Sequence, residues 1–243
     1  MYYSLINSMN RASATPSIIT SGLVLNLDAG NPLSYSGSGT TWTDLSGNGN
    51  NGTLTNGTGY SSSNGGVLTF DGINDYVNTT LVTNQSAFTY CIWGKSSTLG
   101  YPNRIMGNAD ALTGISGACI IWGTPIMTGQ AENLNRMWFI RRNANNLTND
   151  IMSPIIAGFS GNWHYIVATY DNVNGSKLYC DNVLVGSNAL VGFTSTLPIR
   201  IGRDGNGSDA FLGSVGAAHV YNKALNPTEI STNFNSTKTR FGL

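Results

Sequence analysis

Short apolar runs, each closed by a cluster of Gly, Asn, Ser or Thr, recur along the whole chain. Alternation of period two, rich in β-branched and aromatic residues, is the pattern of a half-buried strand. Leu23-Val24-Leu25-Asn26-Leu27-Asp28 is the first such run. A loop punctuated by Gly30, Asn31 and Pro32 follows, then a short extended piece at Thr41-Trp42-Thr43-Asp44-Leu45. Residues 46–52 are a dense loop of types that accept left-handed dihedrals, Thr53-Leu54 opens another strand, and residues 60–66 read as loop. In residues 87–93 both faces carry bulk (Phe88, Tyr90 and Ile92 against Thr89, Cys91 and Trp93), as a central strand of a two-sheet core would. Residues 104–107, 117–122 and 136–141 read as further strands, and 162–171 as the strongest. Residues 173–176 close a hairpin into 177–181, and Asp181-Asn182 turns into 183–185. Residues 197–202 and 211–221 complete the set.

One element breaks the pattern. Asn226, Pro227 and Glu229 are the N-cap, N1 and N3 residues of a helix start, and Ile230 and Phe234 follow at i,i+4 spacing. A short helix is predicted over 227–236. About a dozen short strands with turn signals between them, without βαβ alternation, predict an all-β sandwich.

The stretch Phe70-Asp71-Gly72-Ile73-Asn74-Asp75-Tyr76-Val77 carries the most chemistry. Two strand ends flank a tight turn holding two carboxylates and an amide. These are hard oxygen donors of the kind calcium takes. The same residue types cap their own backbone in ordinary turns.

Composition narrows the function. Charged residues are only 10% of the chain, and 12 Lys+Arg balance 12 Asp+Glu. So little net field gives no steering toward nucleic acid or an anionic membrane. No apolar run is long enough to span a bilayer, and the first residues lack the basic-then-apolar order of a secretion leader. Cys91, Cys119 and Cys180 are widely spaced in apolar runs and read as buried thiols. Asn-x-Ser/Thr sites such as Asn51 and Asn146 are expected by chance in a chain of this composition.

Taken in order, the pieces resemble the laminin G-like, concanavalin A-like jelly-roll domains. The resemblance rests on Leu25–Ala29, on Trp42-Thr43-Asp44-Leu45-Ser46-Gly47-Asn48-Gly49-Asn50-Asn51-Gly52, on the 70–77 stretch and on Phe88–Trp93. It continues through 162–171, Leu178-Tyr179-Cys180-Asp181-Asn182, Ile199–Arg203 and Tyr221–Leu225, and so covers about residues 22–235. One departure is Asn182, where the family turn takes Gly; Asn also tolerates the left-handed region. The resemblance implies an all-β, two-sheet antiparallel jelly-roll β-sandwich with a short C-terminal helix, at 22–236. Residues 1–21 are then an N-terminal arm and 237–243 a C-terminal tail.

The family also directs the site search. Its calcium is held by loop oxygens near one rim; the candidates are Asp71, Asn74 and Asp75, then Asp44, Asn48 and Asn50. The loop with Asp204, Asn206 and Asp209 superficially resembles the start of an EF-hand but has no closing Glu. Calcium is the one cofactor expected; zinc and iron lack a His/Cys cluster in the sequence. Glycan binding, implied by the family, would use aromatic faces such as Tyr101, Trp122 and Trp138, with Tyr60 a further candidate. Jelly-roll glucanases resemble one another through a Glu-x-Asp-x-x-Glu run, and retention needs two carboxylates about 5–5.5 Å apart. Here Glu132 and Glu229 are the only Glu residues, and neither has an acidic neighbour two to five positions away. His164 and His219 read as structural, His164 packing beside Trp163, and no nucleophile elbow is present.

Such domains recur in virion proteins of large bacterial viruses, and the chain's two ends resemble theirs. The expectation is therefore a non-enzymatic virion structural protein, a capsid-decorating or tail-fibre component, that presents the domain for host-surface glycan attachment. The arm, the C-terminal tail or both would dock on other virion subunits, in a homo-oligomer at the capsid or tail surface, without nucleic acid or membrane insertion; the tail, with Phe241 and Leu243 beside Lys238 and Arg240, reads also as docking on the domain itself. The alternatives are a free carbohydrate-binding adhesin or lectin, and an endo-glycosidase.

Overall fold

A computed structural model describes residues 17–83, 86–96, 103–108, 117–123, 135–142, 150–189, 192, 195–203 and 209–243. Sixteen strands are present among them: β1 (Leu23–Asp28), β2 (Thr41–Trp42), β3 (Gly52–Thr55), β4 (Gly59–Ser61), β5 (Val67–Asp71), β6 (Tyr76–Val82), β7 (Ala87–Lys95) and β8 (Asn103–Gly107). The remaining eight are β9 (Gly117–Trp122), β10 (Met137–Arg142), β11 (Ile151–Met152), β12 (His164–Asp171), β13 (Gly175–Cys180), β14 (Val183–Asn188), β15 (Pro198–Ile201) and β16 (Leu212–Tyr221). Helix α1 (Pro227–Thr237) follows.

The strands form two eight-stranded antiparallel sheets. The first runs β14-β13-β12-β7-β16-β5-β4, with β1 lying end to end with β5 along the same edge of β16. The second runs β11-β10-β9-β8-β15-β6-β3-β2. The sheets pack face to face, because each strand's inward set is apolar: Phe88, Tyr90 and Ile92 of β7 meet Ile120, Trp122, Met137 and Phe139 of the second sheet in one buried core. Turn chemistry follows the residues. Gly72 takes φ 76°, and a Cβ there would lie 2.8 Å from the Leu212 Cβ. Asp181 and Asn182 both have positive φ, so Asn serves where the family takes Gly.

The first sheet is covered on its outer face as well, which accounts for the bulk on both sides of β7. Cys91, Trp93, Tyr165, Val167, Ala217 and Tyr221 form a second buried cluster with Ile230 of α1 and Phe241. Helix α1 starts on a full capping box: Asn226 Oδ1 accepts from the Glu229 amide (3.0 Å), and Glu229 Oε2 from the Asn226 amide (3.0 Å). It runs one residue beyond the predicted end and continues as a 3₁₀ turn, Lys238–Phe241.

Three expectations change. Residues 237–243 are not a separate tail. Phe241 stacks on Trp93, ring centroids 4.2 Å apart, and packs on Trp163 at 4.8 Å, while Arg240 pairs with Asp28 and donates to the Asn64 carbonyl (2.6 Å). Nor are residues 17–21 a free arm, since the Ile19 amide donates to Asn233 Oδ1 (2.7 Å) and the Ile19 carbonyl accepts from the Tyr221 hydroxyl (2.9 Å). The rest of the arm lies outside the described residues. The 60–66 loop contains β4 and a 3₁₀ turn, Ser63–Gly65, and β11 went unpredicted; both strands are too short to show a period.

Candidate functional site

The two oxygen-rich loops stand at opposite ends of β3. Trp42 pairs with Gly52 at one end, which places Asp44 and Asn48 beyond it, while Thr55 pairs with Tyr76 at the other, beside Asp75. The structure therefore does not gather the calcium candidates on one rim. Asp44 is buried and fully engaged. Its Oδ1 accepts from the amides of Asn26 (2.8 Å) and Ser46 (2.9 Å), and its Oδ2 from the Ser46 hydroxyl (2.8 Å) and the Asn50 amide (2.9 Å). Asn48 and Asn50 donate their side-chain amides to the carbonyls of Leu23 (3.2 Å) and Val24 (2.8 Å), tying the loop to β1.

At the other end, the Asp71–Asp75 turn caps itself. Asp71 Oδ1 accepts from the amides of Ile73 (2.8 Å) and Asn74 (3.3 Å), and those donors hold the exposed Asp71 carboxyl below its ordinary range. Asp75 Oδ2 accepts from the Asp71 amide (3.0 Å), and burial pushes the Asp75 carboxyl up. The Asn74 carbonyl already accepts from Asn56 Nδ2 (2.9 Å) and from Arg203 (3.5 Å). Of the other oxygen-rich loop, residues 204–208 lie outside the described part, and Asp209 is buried in an ion pair with Arg104 (2.7 Å).

The aromatic candidates separate as well. Tyr101 lies outside the described residues. Trp122 is withdrawn into the core, 0% exposed and stacked on Phe159 at 4.3 Å, so no sugar can reach its face. Parity decides this. Met137 and Trp122 are register partners pointing inward, which turns Trp138 outward, half-buried against Cys119, Ile121 and Ile140. Tyr60 is exposed beside Tyr35, ring centroids 5.4 Å apart.

The outer face of the second sheet assembles a site that the sequence did not suggest. Register pairs place Ile140, Cys119, Gly107, Arg200, Asn78, Thr53 and Thr41 in one row across seven strands. The β9–β10 part of the row is apolar and buried; the β2–β3–β6–β15 part is polar, with Asn78, Thr53 and Thr41 exposed. Beside it, the Arg200 guanidinium lies 5.0 Å from the Tyr76 ring centroid and that of Arg203 6.0 Å. Both distances fall within cation–π range. Arg200 Nε donates to Asn78 Oδ1 (3.2 Å). Hydroxyls, an amide, a phenol and two guanidinium groups on one sheet face can hydrogen-bond a polyhydroxylated ligand and pair with an acidic one.

A third grouping lies at the start of β12. His164 does not pack beside Trp163, because adjacent strand residues face opposite sides. Trp163 joins the outer cluster with Phe241, while His164 turns inward, stacked on Phe159 at 4.9 Å. His164 Nδ1 is 2.6 Å from Asp181 Oδ2 and 3.7 Å from Cys180 Sγ, and Sγ is 3.6 Å from that Oδ2. Thiol and carboxylate meet the same ring nitrogen. A proton relay needs them on different nitrogens, so the trio is not a nucleophilic triad. The three cysteines are unbridged and buried.

The chain's architecture is similar to that of several solved toxin domains. It resembles the receptor-binding domain of botulinum neurotoxin C/D mosaic serotype at 13% identity and TM-score 0.68, covering 89% of this chain and 51% of that one. The binding domain of Paraclostridial Mosquitocidal Protein 1 is similar at 16% identity and TM-score 0.65, covering 88% of this chain and 52% of the other. A botulinum neurotoxin DC binding domain in complex with SialylT matches at 16% identity and TM-score 0.67, over 90% of this chain and 52% of that one. The chain thus spans about half the length of these structures, and identities this low establish the fold alone. A search of curated proteins by sequence gave no match. A laminin G-type family model does match, over residues 70–231, and on that evidence the chain belongs to the concanavalin A-like lectin/glucanases superfamily.

Proposed function

We propose that the chain is a non-enzymatic glycan-binding module, borne on the particle of a bacterial virus for attachment to host-surface sugars. The observation that carries the binding role is the exposed polar row on the second sheet, with Tyr76 flanked by Arg200 and Arg203. Paired guanidinium groups favour acidic glycans, whose carboxylates take bidentate hydrogen bonds. Support also comes from the SialylT complex of a structural neighbour. The non-enzymatic reading rests on the carboxylates. Glu229 is committed to the helix cap and to Lys223 (2.6 Å), and Asp71 and Asp75 share a self-capped turn. The virion placement rests on the sequence resemblance to bacterial-virus proteins.

A glycan array probed with the full chain tests the binding role. Acidic glycans should be retained, and Arg200→Ala or Tyr76→Ala should weaken retention about 10-fold or more, as loss of a central aromatic or Arg contact does. Equal retention by both variants, or none by the parent chain, refutes the site. Mass spectrometry of purified particles tests the placement; a free lectin would be missing from them.

A further inference from the structure

We propose that His164, Cys180 and Asp181 form a binding site for one zinc-class divalent ion at the rim of the sandwich. They are the one group of three potential ligands among the described residues whose donor atoms all lie within 4.8 Å of one another. Donor type selects the ion, since imidazole, thiolate and carboxylate together suit zinc rather than calcium or magnesium.

Geometry supports the assignment edge by edge. Tetrahedral zinc with Zn–S of about 2.3 Å and Zn–N and Zn–O of about 2.1 Å sets S···N and S···O edges at about 3.6 Å and the N···O edge at about 3.4 Å. The observed sulfur edges are 3.7 and 3.6 Å. Only the 2.6 Å Nδ1···Oδ2 edge differs, because a hydrogen bond now spans it. An ion replacing that proton need open it by only about 0.8 Å.

Hairpin geometry holds the donors in place. Cys180 ends β13 opposite Ile166, so it shares the inner face with His164, two residues earlier on β12. Asp181 follows at φ 47°, and its Oδ1 accepts from the Tyr165 amide (2.8 Å), which leaves Oδ2 turned to the histidine. On binding, Cys180 and the ring Nδ1 coordinate the ion, the thiol proton leaves to solvent, and the imidazole proton resides on Nε2, which is buried without a partner. One thiolate, one carboxylate and a neutral imidazole balance a dication's two charges, which suits donors as buried as Cys180 and His164. The Asp181 side chain, 26% exposed against 8% for His164, marks the solvent side, where a water completes the coordination.

The test uses the reduced full chain, stripped of metal and titrated with Co²⁺. A near-ultraviolet thiolate-to-cobalt charge-transfer band saturating at one ion per chain is expected, and Zn²⁺ should displace it. Cys180→Ala should abolish the band, and Asp181→Asn should weaken Zn²⁺ binding about 10-fold or more. Cys91→Ala and Cys119→Ala should keep it. Zn²⁺ should raise the Tm of the parent chain but not that of Cys180→Ala. Far-UV circular dichroism confirms that each variant is folded; should Cys180→Ala not fold, His164→Asn takes its place and should lose the one-ion stoichiometry. The absence of a band in the parent chain, or its survival in Cys180→Ala, overturns the site.

Discussion

His219 makes acid stability the sharpest test of the packing. Its ring lies on the outer face of the first sheet, opposite Cys91 on β7 and Asn26 on β1, with Asp28 and Arg240 as its charged neighbours. Burial drives its pKa from 6.5 down to about 4; Asp28 works against the shift and Arg240 adds to it. Nδ1 has no partner, so a proton taken up there would be stranded. Above pH 6.5 the ring is neutral in both folded and unfolded chains and contributes nothing to the pH dependence. Below 6.5 the unfolded chain takes up a proton that the folded chain refuses until about pH 4. Stability therefore falls with falling pH across that window. At 1.36 kcal/mol per unit, the loss is about 3 kcal/mol, and for a chain of this size that is a Tm drop of about 6–12 °C.

Thermal unfolding followed by circular dichroism between pH 7 and pH 4 gives the readout, with His219→Gln as comparison. The glutamine variant starts less stable, because its amide is also buried, but its Tm should fall much less over the same window. The foot of the window meets the carboxylates: Asp71 is held low, whereas burial raises Asp75, and both titrate alike in the two proteins, so the difference between their curves isolates the histidine. Parallel Tm–pH curves for the two proteins would refute the assignment.

Two further outcomes follow from the packing. Phe241→Ala removes a ring that is stacked on Trp93 and nearly buried, at 5% exposure; the loss should be about 3 kcal/mol, read as a lowered urea midpoint, and a shift no larger than that of the exposed Leu243→Ala would contradict the docked C-terminus. Asp44→Ala strands the amides of Asn26, Ser46 and Asn50 and should cost about 2–4 kcal/mol, whereas calcium added to the metal-stripped parent chain should leave its Tm unchanged; a rise with calcium would mean that the loop oxygens bind it after all.

How much the sequence could convey depended on the range of the interaction. Strands long enough to show a period were legible. So was α1, whose Asn226–Glu229 capping box is a four-residue signal. The second sheet's outer face was not. Arg200 meets Asn78 across 122 positions, and a bulge between Pro198 and Arg200 shifts the register that joins them. No local rule fixes such a pairing, because it is set by the packing of both sheets. Trp122 and Trp138 show the same limit: their strands carry apolar residues on both faces, so which parity points inward is decided by the opposite sheet.

The histidine cluster shows that even a local signal can place chemistry on the wrong face. The sequence reads 173–176 as the turn, but the strands pair Asp171 with Gly175 and Ile166 with Cys180, so the loop is 172–174. Counting outward from 173–176 sets Cys180 opposite Thr169, on the face away from His164; the observed register sets it opposite Ile166, on the face of His164. Because side chains alternate, an odd shift in register moves every one of them to the other face. Chemistry within a hairpin can be counted from its turn only once the turn itself is fixed, whereas chemistry on a sheet face needs the whole sheet.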